Sequence, residues 1–271
     1  MANYEQRFVA FLDILGFSDL VRKSEENDDT FIKLANITHG IDEKVKTYRP
    51  KNGGKKILQD FSQVDILSFS DSIVLSHAEN SVGFWKIIFI VNTIFYEIAQ
   101  YGTVCRGAIT VGPFYQRDKI AFGPALIDAY HLESNIAKVP RVLSSGSAFA
   151  KIQEYAGNEV WAADYLTTWI VRDSDGAAYV DWFGDCRQIF SSGDCELISL
   201  YTLQMNLICQ EIQRQLYSNF DKPHVFEKYS WFADKFNLMV SKCKTYAPTL
   251  SHIDVFGVAP NHVRLRDPFE L

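Results

Sequence analysis

The sequence predicts an α+β fold: helices on an antiparallel-rich sheet, followed by a helical C-terminal extension. Three observations predict it. Short apolar runs bounded by turn residues alternate with helix-period segments as far as residue 155. Their leading order, strand–helix–strand–strand–helix–strand, is the split βαβ arrangement of ferredoxin-like domains. Past residue 183 the chain turns to two long stretches with a helical period. The chain therefore divides into a core, residues 1–155, and a C-terminal strand and helical extension packed on it, residues 156–271.

The first element, residues 8–17, is an almost unbroken apolar run with Asp13 set near its end and Gly16 just beyond. Such continuity marks a buried strand. Gly16 permits a tight turn, and Ser18 is placed to cap a short helix. Phe31, Leu34, Ile37, Ile41 and Val45 recur at three- and four-residue steps and predict a helix over 30–48, stopped by the Pro/Gly/Lys loop at 50–56. Residues 57–69 and 72–77 read as two strands joined tightly at Ser70-Asp71. Residues 82–101 read as an apolar helix closed by Gly102. A strand over 103–111 carries Arg106 in its middle and breaks at Gly112-Pro113. Helix 123–137, strand 141–143 and helix 147–155 complete the core.

In the extension, residues 177–183 read as one more strand. Residues 195–220 and 224–246 read as helices separated by Pro223, with Leu197, Leu200, Leu203, Leu207, Ile208, Ile212 and Leu216 along the inner side of the first.

Composition narrows the function classes. With 271 residues and 47% hydrophobic residues, a sizeable core is available and global disorder is excluded. Lys+Arg 27 against Asp+Glu 33 gives a net charge of −6 with no basic block, so no nucleic-acid partner is expected. Cys105, Cys186, Cys195, Cys209 and Cys243 are scattered without a C-x-x-C pair, which argues against a disulfide framework or zinc knuckle and fits a reducing cytoplasm. The N-terminal residues lack the features of a signal peptide. The most apolar helix is interrupted by Lys86, Asn92 and Glu97, so no membrane segment is expected and a cytoplasmic location is.

Chemistry concentrates on three polar residues inside apolar strands: Asp13, Asp71 and Arg106. A buried charge is tolerated only with a partner. Two carboxylates at adjacent strand ends suit Mg²⁺ or Mn²⁺, which prefer hard oxygen ligands shared with phosphates. The turn after Asp13 would offer backbone N–H groups at a helix N-terminus to a phosphate, and Arg106 a bidentate contact. Plainer readings stand beside these: Asp13 as a helix cap, Asp71 as a turn residue, Arg106 as the ion-pair partner of either.

These residues also carry a resemblance. Phe11-Leu12-Asp13-Ile14-Leu15-Gly16-Phe17, then Ser70-Asp71-Ser72, then Arg106-Gly107-Ala108-Ile109-Thr110-Val111-Gly112-Pro113, then Phe122-Gly123-Pro124-Ala125 resemble the successive motifs of class III nucleotidyl cyclases, in the same order. The resemblance implies a ferredoxin-like cyclase core over residues 1–155. It implies that Asp13, Asp71 and the carbonyl of Ile14 hold two divalent ions, that the turn Leu15-Gly16-Phe17 cradles phosphates through its amides, and that Arg106 binds the triphosphate. Asp13, Asp71 and Arg106 become the catalytic set.

The departures from the purine cyclases are as informative. The transition-state Asn and Arg positions are Ile127 and His131 here, and the purine-reading Lys and Asp positions are Leu67 and Ile120. With the short chain and helical tail, this wording is similar to the bacterial pyrimidine cyclases of the Pycsar anti-phage systems. That likeness implies conversion of UTP, or of CTP, to a 3′,5′-cyclic nucleotide by a homodimer, and a separate effector that reads the product. His131 stands as a substitute for the missing Arg, or as a solvated helix residue. Asp128 and Glu133 read as the wet face of their helix more readily than as site acids. Tyr48 and Tyr130 are base-stacking candidates whose commoner fate is packing.

Overall fold

In the computed structural model the described residues are 4–47 and 64–255. The chain separates into two compact units, Met1–Ile98 with Val104–Trp182, and Ala99–Thr103 with Phe183–Leu271. Residues 156–182, placed with the extension by sequence, group with the first unit. The predicted loop at 50–56, the first part of the predicted strand at 57–63, and Tyr48 lie outside the described residues.

The first unit is a mixed α+β structure. In order it contains β1 (Glu5–Ile14), α1 (Phe17–Ser24), α2 (Asp28–Thr47), β2 (Asp65–Phe69), β3 (Ser72–Ala78), α3 (Gly83–Ala99), β4 (Cys105–Arg117), β5 (Ile120–Phe122), α4 (Pro124–Asn135), β6 (Val142–Ser144), α5 (Gly146–Asn158), α6 (Val160–Trp169), β7 (Ile170–Arg172) and β8 (Ala178–Val180). Among the described residues the strands form one sheet in the order β2-β3-β1-β4-β6-β8-β7, with β5 folded back on β4. Every pairing is antiparallel except β4 with β6. β3 returns from β2 and inserts beside β1, so β1 lies between β3 and β4.

Burial on both faces explains why β1 reads as continuously apolar. Phe8, Ala10, Leu12 and Ile14 are buried on one face, where Phe8 meets the ring of Phe84 on α3 edge to face. Val9, Phe11 and Asp13 lie on the other face, along α4: Val9 packs with Val74, Phe114 and Ala125, and Phe11 meets Tyr130. Asp13 is thus on a covered face for geometric reasons, the side-chain period of a strand being two.

The structure corrects several sequence expectations. β4 runs through Gly112-Pro113 to Arg117. Pro113 pairs with Gln6 near the start of β1, beyond the Gly107–Ile109 stretch that bonds β6, so its missing N–H costs the ladder little. The β5 hairpin, α6 and β7 add to the elements the sequence predicts; α6 is rich in aromatic and β-branched residues and is held by rings, Tyr165 meeting Trp85 and Phe89. Strand 177–183 shortens to β8.

The second unit holds α7 (Cys186–Phe190), also unforeseen, α8 (Cys195–Ser218) and α9 (Pro223–Cys243), whose first turn takes Pro223 as helices commonly do. Met205, Ile208, Cys209, Ile212 and Leu216 form the buried stripe of α8, whereas Leu200, Leu203 and Leu207 are exposed. The helix carries two apolar stripes, and packing selects one. None of the five cysteines forms a disulfide. Among the described residues, no helix is long and apolar enough to cross a membrane.

One ion-pair cluster pins the far side of the sheet. Arg141, only 4% exposed just before β6, pairs with Asp173 at 2.8 Å and with Asp175, both in the β7–β8 turn. Removing one member of a buried pair strands the other, at a cost of about 3–5 kcal/mol. Arg141→Ala is expected to lower the unfolding free energy by about 3 kcal/mol, read from the shift of the urea midpoint. The Arg141 hydrogen bond holds the Asp175 carboxyl below its ordinary range. That contribution is present above the unfolded carboxyl pKa and lost as pH falls through the lower folded value, so the variant's acid limb is expected to flatten.

Candidate functional site

Asp13, Asp71 and Arg106 gather at one end of the sheet. Asp13 pairs in register with Ser72 of β3 on one side and with Arg106 of β4 on the other. Side chains directly opposite across an antiparallel pair are close enough to interact. Arg106 Nε lies 3.2 Å from Asp13 Oδ2, each side chain being 22% exposed. Ser70 and Asp71 are the two residues of the β2–β3 turn, as the sequence reading has it, with Ser70 at φ 56. A non-glycine residue with positive φ is uncommon. The Ile14 N–H donates to the Asp71 carbonyl at 2.9 Å, tying that turn to the end of β1.

Close approach of β4 to β1 depends on Gly107, the neighbour of Arg106. A Cβ there would stand 2.3 Å from the Phe11 carbonyl oxygen. On the buried face beside the pair, Cys105 is fully enclosed; burial, with the Asp13 charge adding to it, pushes its thiol up to about 12 and keeps it neutral.

The turn after β1 has Gly16 at φ 76, a conformation suited to glycine, as the N-cap of α1. The Leu15 N–H donates to the Val104 carbonyl at 2.9 Å. A phosphate cradle at this turn would therefore rest on the amides of Gly16, Phe17 and the first turn of α1, which a helix leaves without intrahelical acceptors.

Glu133 of α4 joins this cluster. Ala125, Ala129, Glu133 and Ala137 recur every four residues and are all buried, so Glu133 lies on the sheet-facing side of α4 and not on its wet face. Glu133 is 2% exposed, and its Oε1 is 2.6 Å from Arg106 Nε, an ion-pair contact without a hydrogen bond, since the Nε–H is donated to Asp13 Oδ2. Its Oε2 accepts from the Ser134 hydroxyl at 2.8 Å. Burial pushes the Glu133 carboxyl above the usual carboxylate range; the Ser134 bond and the Arg106 charge oppose that, and Asp13 adds to it. Arg106 Nη1 also reaches the Ala137 carbonyl, at 3.5 Å, just past the end of α4. The four-residue spacing of small residues through Glu133 was the signal available in the sequence.

As cation ligands, Asp13 and Asp71 supply hard oxygen donors on neighbouring strand ends, the donor chemistry that Mg²⁺ and Mn²⁺ prefer. No group of three or more His, Cys, Asp or Glu side chains suited to a metal occurs among the described residues. An ion held here would complete its shell from the Ile14 carbonyl, water and phosphate oxygens, which suits Mg²⁺.

The remaining candidates lie elsewhere. Ile127 and His131 are exposed on α4, two residues off the buried stripe and so on its outer side; Asp128 is exposed as well. Tyr130, half-exposed, stacks edge to face on Phe11. Leu67 packs against the Val9–Val74–Phe114–Ala125 cluster, while Ile120 sits 61% exposed in the β5 hairpin.

No known family model matches the chain, and no curated protein matches it.

A ligand that binds only the folded protein raises its stability by about 2.7 kcal/mol at a hundredfold excess over Kd. Mn²⁺ is expected to raise the melting temperature of the wild-type protein. Asp13→Asn and Asp71→Asn should each remove most of that rise; a full rise in either variant would place the ion elsewhere.

Proposed function

We propose that this protein is a nucleotidyl cyclase of the class III type, acting on a pyrimidine nucleoside triphosphate, with UTP preferred. The product would be 3′,5′-cyclic UMP with release of pyrophosphate, a second messenger in bacterial anti-phage defence read by a separate effector. The observation that carries the reading is the meeting of Asp13, Arg106 and the Ser70-Asp71 turn across β3, β1 and β4. The strand order β2-β3-β1-β4 supports a ferredoxin-like cyclase core, and the motif order of the sequence points the same way.

In this mechanism the ribose 3′-hydroxyl gives up its proton to solvent water and its oxygen attacks the α-phosphorus in line. A new O–P bond forms as the bond to the β-phosphate oxygen breaks, and pyrophosphate departs. Divalent ions, Mn²⁺ or Mg²⁺, two per site, would lower the cost of forming the nucleophile and neutralise the leaving group. Asp13 and Asp71 would hold those ions, with the Ile14 carbonyl as a further ligand. Arg106 would pair with the phosphate oxygens, a charge-assisted contact that Arg geometry favours. The amides of Gly16 and Phe17 would fix the phosphates from the other side.

Selection against purines would follow from Leu67 and Ile120, which offer a purine edge no hydrogen bond and leave its polar groups unpaired. Ile120 pairs with Arg117, eleven residues along β4 from Arg106 (117 − 106). At about 3.3 Å per residue that is roughly 36 Å of strand. Ile120 and Arg106 could serve one nucleotide only if two copies of the chain face each other. A symmetric homodimer with two equivalent sites is therefore part of the proposal. Exposed Ile127 and Tyr130 on α4, Phe122 on β5 and Phe69, 82% exposed, supply apolar surface of the kind that interfaces cover.

Two outcomes test this reading. Incubated with Mn²⁺ and equal concentrations of UTP, CTP, ATP and GTP, the protein is expected to yield mainly cyclic UMP by mass spectrometry. Dominant cyclic CMP would make it a cytidylate cyclase, and a purine product would overturn the pyrimidine assignment. Binding without turnover would leave a degenerate nucleotide-binding domain. Light scattering of the active protein should give the mass of a dimer; full activity in a monomer would refute the shared site.

A further inference from the structure

We propose that Glu133 is a positioning residue that holds the Arg106 guanidinium by its Nε edge and keeps it in place for a phosphate ligand. The proposal rests on the reading of Arg106 as the triphosphate ligand and adds a residue to it.

The stripe that meets the sheet is Ala125, Ala129 and Glu133 of α4, continued by Ala137 just past its end. Packing a helix closely on a sheet calls for small residues there, and three of the four are alanine. A 2%-exposed carboxyl at the remaining position is costly unless it has a charged partner. Its place is unfavourable for a second reason: Glu133 lies in the last turn of α4, where the helix dipole repels a carboxylate. Arg106 offsets both penalties, with its Nε 2.6 Å from Glu133 Oε1 and its Nη1 3.5 Å from the Ala137 carbonyl at the same helix end.

Asp13 cannot serve as the anchor alone. Its carboxylate accepts the single Arg106 Nε–H at 3.2 Å, and it is also the carboxylate assigned to the cations. Were Asp13 to turn its oxygens to an ion, its hold on Arg106 would weaken. Glu133 stands behind Arg106 on α4 with its buried Oε1, which has no hydrogen-bond partner, 2.6 Å from Nε, and would take the Nε–H that Asp13 gives up. A guanidinium held by its Nε edge still has Nη N–H groups to present to a phosphate.

The test combines binding and kinetics. Glu133→Gln keeps the shape and the Ser134 contact but removes the charge. Calorimetry with Mn²⁺ and a non-cyclisable UTP analogue lacking the 3′-hydroxyl should show about tenfold weaker binding, and KM for UTP should rise about tenfold while kcat falls no more than about threefold. Because Glu133 acts through Arg106, the same change made in Arg106→Lys should weaken binding little further. A merely structural role would lower stability and weaken binding equally in both backgrounds. Equal affinity of wild type and Glu133→Gln overturns the proposal while leaving the cyclase reading intact. Wild-type protein that binds no nucleotide overturns both.

A measurement on the unmutated side chain covers the case in which the variant does not fold. The Arg106 Nε–H resonance, assigned by its absence from Arg106→Lys, should exchange slowly with water and remain slow at saturating Mg²⁺. Rapid exchange once Mg²⁺ is bound would overturn the anchoring role.

Discussion

The cross-strand pair of Asp13 and Arg106 is the interaction on which the organisation of this site depends. It joins the middle strand of the sheet to its neighbour, and each partner is buried enough to need the other. With Glu133 added, one guanidinium faces two carboxyl groups within 3.2 Å. Desolvation would defeat such a cluster if any member stood alone, since an uncompensated buried charge costs several kcal/mol. Together they form a charged centre inside a face otherwise lined by Val9, Val74, Phe114 and Ala125.

Backbone geometry makes that centre possible. Gly107 lets β4 lie against the Phe11 carbonyl, and Gly123, at φ 152, brings the start of α4 against the backbone of Pro113 and Phe114. A side chain at either glycine would meet backbone atoms at 2.6 Å or less. Pro124 then starts α4, and the Thr110 hydroxyl donates to the Ala125 carbonyl at 2.7 Å, fixing the helix over the sheet face that holds Arg106. The position of Glu133 follows from these contacts two turns further along.

Legibility differed between the strands and the side chains that serve them. Asp13 and Arg106 announced themselves, because a charge in a continuous apolar run contradicts its surroundings wherever the strand is placed. Glu133 did not. Its helix alternates polar and apolar residues on several sides, and an acid on such a helix reads as solvated until the partner face is known. α6 escaped for the opposite reason: its residues favour strands locally, and rings from α3 outweigh that preference. On α8 the sequence offered two apolar stripes, and the one containing Leu200, Leu203 and Leu207 faces outward.

By itself the sequence determined the α+β class, the order of the first four strands, the tight Ser70-Asp71 turn and the three charged residues out of place in apolar strands. These depend on period, turn chemistry and the cost of burying charge, all of which act over a few neighbouring residues. The tertiary structure alone decided that Asp13 and Arg106 lie opposite each other, that the Leu15 amide is taken by Val104, that β4 continues through Pro113, and that Glu133 stands behind Arg106. Each of those joins residues far apart in the chain, and strand register and helix packing set them where local preference has no say.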